Sequence, residues 1–209
     1  SHTWRGQRTK LLLVSMALAA GYFIVRAVVL QGNGPAFSTG GDVSEFGRAP
    51  SPVVARAVRW QRDVWGLLRR LPQPTIAAVH GYVVGGGLEM ALLCDLCIAA
   101  RDARFAYPET GLGMIPGVAG TQTTPRAIGV GRALDLMLTG RWLTATDALG
   151  IGLVTRVVRS GAHARAARAL AQQLCALIPA AVRKMKRAVN EGVDLPLADG
   201  LRLEQHLAA

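Results

Sequence analysis

Cysteines, aromatic residues and acidic residues are scarce in this sequence, and each scarcity limits the classes of protein or partner to be considered. The 209 residues include three cysteines, too few for the disulfide framework of a small secreted domain. Cys94 and Cys97 read C-D-L-C, but a zinc site needs a second pair of ligands and none accompanies them. We expect small core cysteines in a reducing compartment, and no bound metal.

The excess of basic residues favours a negatively charged partner. Lys and Arg number 24 against 13 Asp and Glu, so the formal net charge is +11. Nucleic acid, a membrane surface or a phosphorylated small molecule would suit that charge. The basic residues are scattered, however, and only 5% of the residues are aromatic, which leaves few side chains on which bases could stack. We therefore expect neither a nucleic acid nor a membrane as partner.

The motifs of several common sites are absent as well. The sequence contains no G-K-[ST] and no G-x-S-x-G, and the G-G-G run at residues 85–87 does not continue as G-x-G-x-x-G. These absences exclude a P-loop, a nucleophile elbow and a dinucleotide fingerprint.

The N-terminal segment at residues 8–25 is basic, then apolar, then rich in small residues. That order is typical of a signal peptide, although the apolar run is short for a membrane span. The alternative is an apolar helix followed by a buried strand, which we favour because the motifs downstream require that strand. The alanine- and arginine-rich composition suggests a bacterial source, and we expect a cytoplasmic protein.

Strands alternate with helices along the chain, which indicates an α/β fold. Strands are predicted at residues 26–32, 75–83, 96–100 and 153–158. Helices are predicted at residues 52–71, after the three glycines, at 131–140, in a short segment capped by Thr144 or Thr146, and twice after residue 161, with Pro179 between them. Residues 103–129 are predicted to be a long glycine-rich loop. We assign residues 1–160 to the core and 161–209 to a C-terminal helical region.

The run Gly85, Gly86 and Gly87 lies between an apolar strand and a helix. A glycine N–H at the start of a helix lies at the positive end of the helix dipole, with no Cβ in front of it. Two such N–H groups aimed at one carbonyl oxygen form an oxyanion hole. The S-T-G-G-D loop at residues 38–42 offers a second donor of the same kind.

Two glutamates lie next to glycine-rich segments. Glu89 falls in the first turn of the predicted helix, and Glu109 falls in a loop with almost no other charge. Each has a structural interpretation, as a carboxylate at a helix N-terminus or as a turn residue that binds a backbone N–H. A carboxyl group among apolar neighbours can also stay neutral near pH 7 and act as an acid. His80, directly after a strand, is interpreted as a hydrogen-bonded structural residue rather than a base.

These segments resemble the crotonase family, also called the enoyl-CoA hydratase/isomerase family. The resemblance rests on A-F-S-T-G-G-D-V-S-E-F at residues 36–46, on residues 74–122 with G-G-G-L-E-M-A and Y-P-E-T-G-L-G-M-I-P-G-V-A-G-T-Q, and on residues 127–158 with L-M-L-T-G-R-W-L-T-A-T-D-A-L-G-I-G-L-V. They follow one another in the family's order and cover most of residues 26–158.

The resemblance implies a fold, a substrate class and a mechanism. The fold would be a spiral of ββα units with a C-terminal helical trimerisation region, assembled as trimers or hexamers. The substrate would be an acyl-CoA thioester, with coenzyme A part of the substrate and no further cofactor. Backbone N–H groups of Gly41 and Gly86 would form the oxyanion hole. Glu89 would activate the water that attacks Cβ, and Glu109 would deliver the proton to Cα, giving syn hydration of a 2,3-enoyl thioester.

The resemblance also implies a set of substrate-binding positions. These are Gly40, Asp42, Val43, Ser44, Gly85, Pro108 and Gly117. Because family isomerases typically keep a carboxylate only at the second position, the pair of glutamates favours a hydratase. The alternatives are an isomerase or other acyl-CoA-processing enzyme using Glu109 alone, and a non-catalytic acyl-CoA-binding protein.

Two departures from the family pattern bear on these expectations. The chain stops at L-E-Q-H-L-A-A, before the family's last helices, so the trimerisation region is expected to be truncated. Ala119 stands where glycine is common, and a positive φ there would strain the backbone.

Overall fold

The structure is a computed structural model, which describes residues 14–15, 26–45, 51, 53–54, 57, 61 and 63–208. Most of the N-terminal segment therefore lies outside the described residues. The strands are β1 (Val14–Ser15), β2 (Val28–Gln31), β3 (Thr75–Val79), β4 (Tyr82–Val84), β5 (Leu96–Ala100), β6 (Arg104–Ala106), β7 (Leu143–Thr144) and β8 (Arg156–Val158). The α-helices are α1 (Val64–Arg70), α2 (Gly86–Leu92), α3 (Gly120–Ile128), α4 (Val130–Thr139), α5 (Ala145–Gly150), α6 (His163–Cys175), α7 (Pro179–Gly192) and α8 (Leu197–Ala208).

A five-stranded sheet in the order β1-β2-β3-β5-β8 forms the centre of the fold. Its last four strands are parallel, and β1 pairs antiparallel with β2. Every residue of β3 is buried, as expected for a parallel strand covered on both faces. Ile76 and Ala78 belong to the apolar cluster that includes α6, whereas Ala77 and Val79 belong to the larger cluster that includes α2. This alternation places helices on both sides of the sheet.

A second sheet, in the order β4-β6-β7, begins where the chain leaves the first. The single strand expected at residues 75–83 is therefore wrong. The chain turns at His80 and Gly81, where Gly81 has φ of 54°, and continues as β4 in the other sheet. This turn carries the chain from the core strand directly to the three glycines.

Several expected elements differ in extent. Residues 103–129, expected to be a loop, contain β6, a 3-10 helix (Glu109–Leu112) and α3. The apolar helix expected in the N-terminal segment is wrong for Val14 and Ser15, which form β1. The predicted helix at 131–140 is confirmed as α4, and Thr144 caps α5 in a capping box with Asp147.

The two helices predicted after residue 161 are confirmed as α6 and α7, with Pro179 as the first residue of α7, and α8 is a third helix after them. α8 packs on α7, while α6 packs on the first sheet. None of the helices in the described part of the chain is long and apolar enough to cross a membrane.

A polar network attaches α7 to the first sheet. Asp95 Oδ2 accepts hydrogen bonds from the N–H (2.7 Å) and the hydroxyl (2.9 Å) of Thr75 at the start of β3. The Lys186 ammonium on α7 lies 2.7 Å from the same oxygen and donates to the carbonyl of Gln73. Thr75 is buried and the Lys186 side chain is only 12% exposed, so these partners are largely shielded from water.

We expect Asp95→Ala to lower the free energy of unfolding by about 3 kcal/mol, because a buried N–H and a buried hydroxyl lose their acceptor and a shielded ammonium loses its ion pair. Urea unfolding at fixed protein concentration measures the change. Glu191→Ala, which removes an exposed ion pair with Arg187, is the matched control and should cost less than about 0.5 kcal/mol. Equal losses in the two variants would contradict the structural role of Asp95.

Candidate active site

Glu89 is held by the beginning of another helix. Its Oε1 accepts hydrogen bonds from three consecutive backbone N–H groups, those of Val118 (2.8 Å), Ala119 (2.9 Å) and Gly120 (2.7 Å). The side chain is 2% exposed, and the three donors lie at the N-terminus of α3, where the helix dipole favours an anion. Glu89 thus lies in the first turn of α2, as predicted, but its carboxylate accepts hydrogen bonds from the N-terminus of α3.

The second oxygen of Glu89 faces the three-glycine turn. A methyl group built on Gly86 would lie 3.9 Å from Glu89 Oε2 and 3.8 Å from the amide nitrogen of Gly41. One built on Gly40 would lie 3.2 Å from the amide nitrogen of Gly86. The amide groups of Gly41 and Gly86 and the Oε2 atom of Glu89 therefore surround one small space.

The loop that carries Gly41 is attached beside β4. The Ser38 N–H donates to the Tyr82 carbonyl (3.1 Å), and the Val84 N–H donates to the Ser38 carbonyl (3.0 Å). The Ser38 hydroxyl accepts a hydrogen bond from the Gly40 N–H (3.2 Å). These bonds keep the S-T-G-G-D loop against the start of α2.

Glu109 lies next to Gly85, whereas Glu89 Oε2 lies next to Gly86. A methyl group on Gly85 would lie 2.6 Å from Glu109 Oε1, and the Gly85 N–H donates to the Ala106 carbonyl at the end of β6 (3.0 Å). Glu109 is 9% exposed, and its Oε2 is buried without a hydrogen bond in the described part of the chain. Burial raises the pKa of this carboxyl group, its own backbone N–H opposes the rise, and the charge of Glu89 adds to it.

The other predicted substrate-binding residues fall into two groups. Gly40 and Gly85 lie beside the shared space, as described. The remaining residues are exposed. Two of them are joined by a hydrogen bond from the Ser44 N–H to the Asp42 side chain (2.9 Å) at the start of a 3-10 helix (Val43–Glu45). This exposed group is Asp42, Val43, Ser44, Pro108 and Gly117.

His80 and the cysteines lie elsewhere. The His80 ring nitrogen Nε2 lies 2.9 Å from the Gly34 carbonyl and the ring stacks on His163, which fits the predicted structural role. Cys97 is a buried core residue, and burial raises the pKa of Cys94 to about 12. Among the described residues, no cluster of His, Cys, Asp and Glu could hold a metal ion.

Comparisons with known proteins show the family to which the chain belongs. The sequence model of one family, described as enoyl-CoA hydratase/isomerase, matches residues 18–209. The chain belongs to the enoyl-CoA hydratase/isomerase family. Among its relatives is YngF of Bacillus subtilis, a hydratase/isomerase by name, which is 44% identical over 182 residues covering 87% of this chain and 70% of YngF.

Solved structures of the family share the fold. The enoyl-CoA hydratase from Bacillus anthracis is 39% identical, with a TM-score of 0.83 over 88% of this chain and 72% of that one. A protein of Thermobifida fusca, solved in complex with CoA, is 34% identical, with a TM-score of 0.81 over 88% of this chain and 75% of the other. The predicted crotonase fold is thereby confirmed, and the chain belongs to a family of acyl-CoA-processing enzymes.

Sequence reasoning missed the anchor of Glu89 and a buried polar pair. The donors at residues 118–120 fell within the predicted loop, because the glycines and proline before them hid the start of α3. Ala119 has φ of −173°, which is extended backbone, so the strain expected there is absent. The pair of Tyr107 and Thr124, with hydroxyl oxygens 2.9 Å apart, carried no signal because Thr124 lies outside the quoted motifs and the contact joins residues 17 positions apart.

Alanine substitutions at Gly85 and Gly86 should differ in their effect on stability. We expect Gly85→Ala to cost about 2 kcal/mol of stability, because its φ is 52° and the new methyl group would overlap Glu109 Oε1. Gly86→Ala should change stability by less than about 1 kcal/mol, since its closest contacts are ordinary ones at 3.7 Å or more. Gly111→Ala, which meets no atom within 4 Å, controls for the substitution itself. Denaturant unfolding measures all three, and a stable Gly85→Ala would contradict the close approach of Glu109.

The pKa of Glu109 predicts a pH-dependent cost to stability. Because its folded-state pKa is raised, the neutral form is favoured, and the protein loses stability as the pH rises through that pKa. We expect Glu109→Gln to melt at a higher temperature than the wild type at about pH 8, and at the same temperature below the ordinary value of 4.5. Thermal scans of both proteins across this range measure the difference. A gap that stays constant with pH would contradict the raised pKa.

Proposed function

We propose that this protein is an enoyl-CoA hydratase, which adds water across the double bond of a 2,3-enoyl-CoA thioester. The observation that carries the proposal is the convergence of two backbone amide groups and two buried carboxyl groups on the turn at residues 85–87. The thioester oxygen would accept hydrogen bonds from Gly41 and Gly86. This polarises the conjugated double bond and stabilises the enolate that forms after attack at Cβ.

Glu89 would act on the water. Three N–H groups bind its Oε1 and so fix the orientation of the carboxylate, while Oε2 faces the space between the two amide groups. A water held by Oε2 would give up a proton to it as the oxygen bonds to Cβ.

Glu109 would supply the second proton. Its raised pKa favours the carboxylic acid, which can donate to Cα as the enolate collapses to the thioester. The two glutamates then differ by one proton from their starting states. Exchange between them or with solvent restores both, so the net reaction adds H to Cα and OH to Cβ.

The proposal extends to the coenzyme A part of the substrate and to the oligomeric state. The phosphates of coenzyme A fit the net charge of +11, and no further cofactor is needed for the steps above. A homotrimer or hexamer is supported by α7, which has no buried residue and exposes Met185 (70%) and Val189 (63%), and by Val193 (72%) directly after it.

We expect crotonyl-CoA to lose its enone-thioester absorbance in the presence of the wild-type protein and not with Glu109→Gln, which cannot protonate Cα. Gly86→Ala should also lose turnover while remaining folded, because its methyl group would occupy the shared space. Each loss should exceed about a hundredfold in kcat. Tyr82→Phe, at an exposed position, is the control and should keep full activity.

Glu89→Gln separates hydration from the isomerase alternative. Hydration requires the water bound by Glu89, whereas a double-bond shift needs only a proton carried by Glu109. A wild-type protein that shifts a 3-enoyl thioester to the 2-enoyl isomer and hydrates no enoyl-CoA would favour the isomerase. Binding of thioesters without any turnover would favour a non-catalytic role.

A further inference from the structure

Two buried hydroxyl groups lie close to the site but take no part in the chemistry proposed above. Tyr107 and Thr124 are both fully buried, and their hydroxyl oxygens lie 2.9 Å apart. Tyr107 is a member of the larger apolar cluster, so water is not available to either group. Because an unpaired hydroxyl in such a place is costly, the two side chains are constrained to keep their hydrogen bond.

This hydrogen bond joins the segments that control the two glutamates. Tyr107 follows β6 and precedes Glu109 by two residues. Thr124 lies in α3, and the N-terminus of that helix binds Glu89 Oε1. In the described part of the chain, no other side-chain hydrogen bond joins residues 104–112 to α3; Thr110 instead bonds the Met137 carbonyl in α4 (2.8 Å).

The pKa of Tyr107 reflects its position near both glutamates. Burial raises the pKa of Tyr107 most, the hydrogen bond with Thr124 opposes the rise, and the charges of both Glu89 and Glu109 add to it. The phenol is therefore a neutral hydroxyl group within the field of both carboxyl groups.

We propose that Tyr107 and Thr124 are positioning residues that set the distance between the carboxyl groups of Glu89 and Glu109. The inference rests on the proposed hydratase function, in which both groups must act on one substrate. The proposal predicts that one reaction of the site depends on the pair and that another does not. Hydration needs both glutamates at the correct separation, whereas exchange of the Cα proton of a saturated thioester needs only Glu109 and the oxyanion hole.

The test compares these two reactions in Tyr107→Phe, Thr124→Val and the double variant. Hydration of crotonyl-CoA is followed by absorbance, and exchange of the Cα protons of butyryl-CoA is followed by NMR in D2O. We expect kcat for hydration to fall about tenfold, with KM unchanged, while the exchange rate stays within about twofold of the wild type. The double variant should resemble either single one, because all three lack the same hydrogen bond.

Conservative and matched variants separate positioning from folding. Thr124→Ser keeps the hydroxyl group and should retain wild-type hydration. Thr123→Val removes the neighbouring hydroxyl, which donates to the Ala119 carbonyl at the start of its own helix (3.3 Å), and should leave the ratio of the two rates unchanged. Circular dichroism and thermal scans establish the folded fraction of each variant.

The outcomes distinguish this inference from the function on which it rests. If hydration and exchange fall together in Tyr107→Phe, or if neither changes, the positioning role is wrong although the enzyme is a hydratase. If the wild-type protein hydrates no enoyl-CoA of any chain length, the proposed function is wrong and the inference falls with it.

Discussion

Three amide groups on one carboxylate oxygen are the constraint on which the rest of the site depends. Glu89 Oε1 takes the N–H groups of residues 118–120, so a side chain of α2 supplies the anion that the N-terminus of α3 needs. The interaction is buried, so losing the carboxylate would leave three donors without an acceptor. The same bonds fix where Oε2 points, and therefore where a water would have to lie.

The positions of the glutamate side chains explain why glycine is needed in the turn. Because the Glu109 carboxyl group lies against it, the turn between β4 and α2 has no room for a side chain at Gly85. The loop at residues 38–41 brings the amide nitrogen of Gly41 close to Gly86. The two carboxyl groups differ in their surroundings, since one oxygen of Glu89 has three donors while Oε2 of Glu109 has none in the described part of the chain. Different surroundings suit different tasks, one as an acceptor of hydrogen bonds and the other as an acid.

The sequence predicted the fold class and the location of Glu89 in the first turn of α2, but not how the side chains around the glycines are assembled. Apolar runs located β3 and β5, and glycine, threonine and proline located the ends of α4, α5 and α7. Residues 75–83 read as one strand because apolar residues lie on both sides of His80 and Gly81, whereas the turn at Gly81 leads into the second sheet. The helix α3 was missed because its N-terminus is capped across space by Glu89 and not by a local side chain. The contact of Tyr107 with Thr124 is likewise tertiary, and no local pattern encodes it.

The central claim is that Gly41 and Gly86 bind a thioester oxygen while Glu89 and Glu109 flank the carbon atoms that react. A crystal structure of the protein with acetoacetyl-CoA, a 3-keto thioester that cannot be hydrated, tests this claim most directly. The account predicts the thioester oxygen within about 3 Å of both amide nitrogens, with Glu89 Oε1 still bound by residues 118–120. A thioester oxygen bound elsewhere, or a Glu89 side chain turned away from α3, would contradict it.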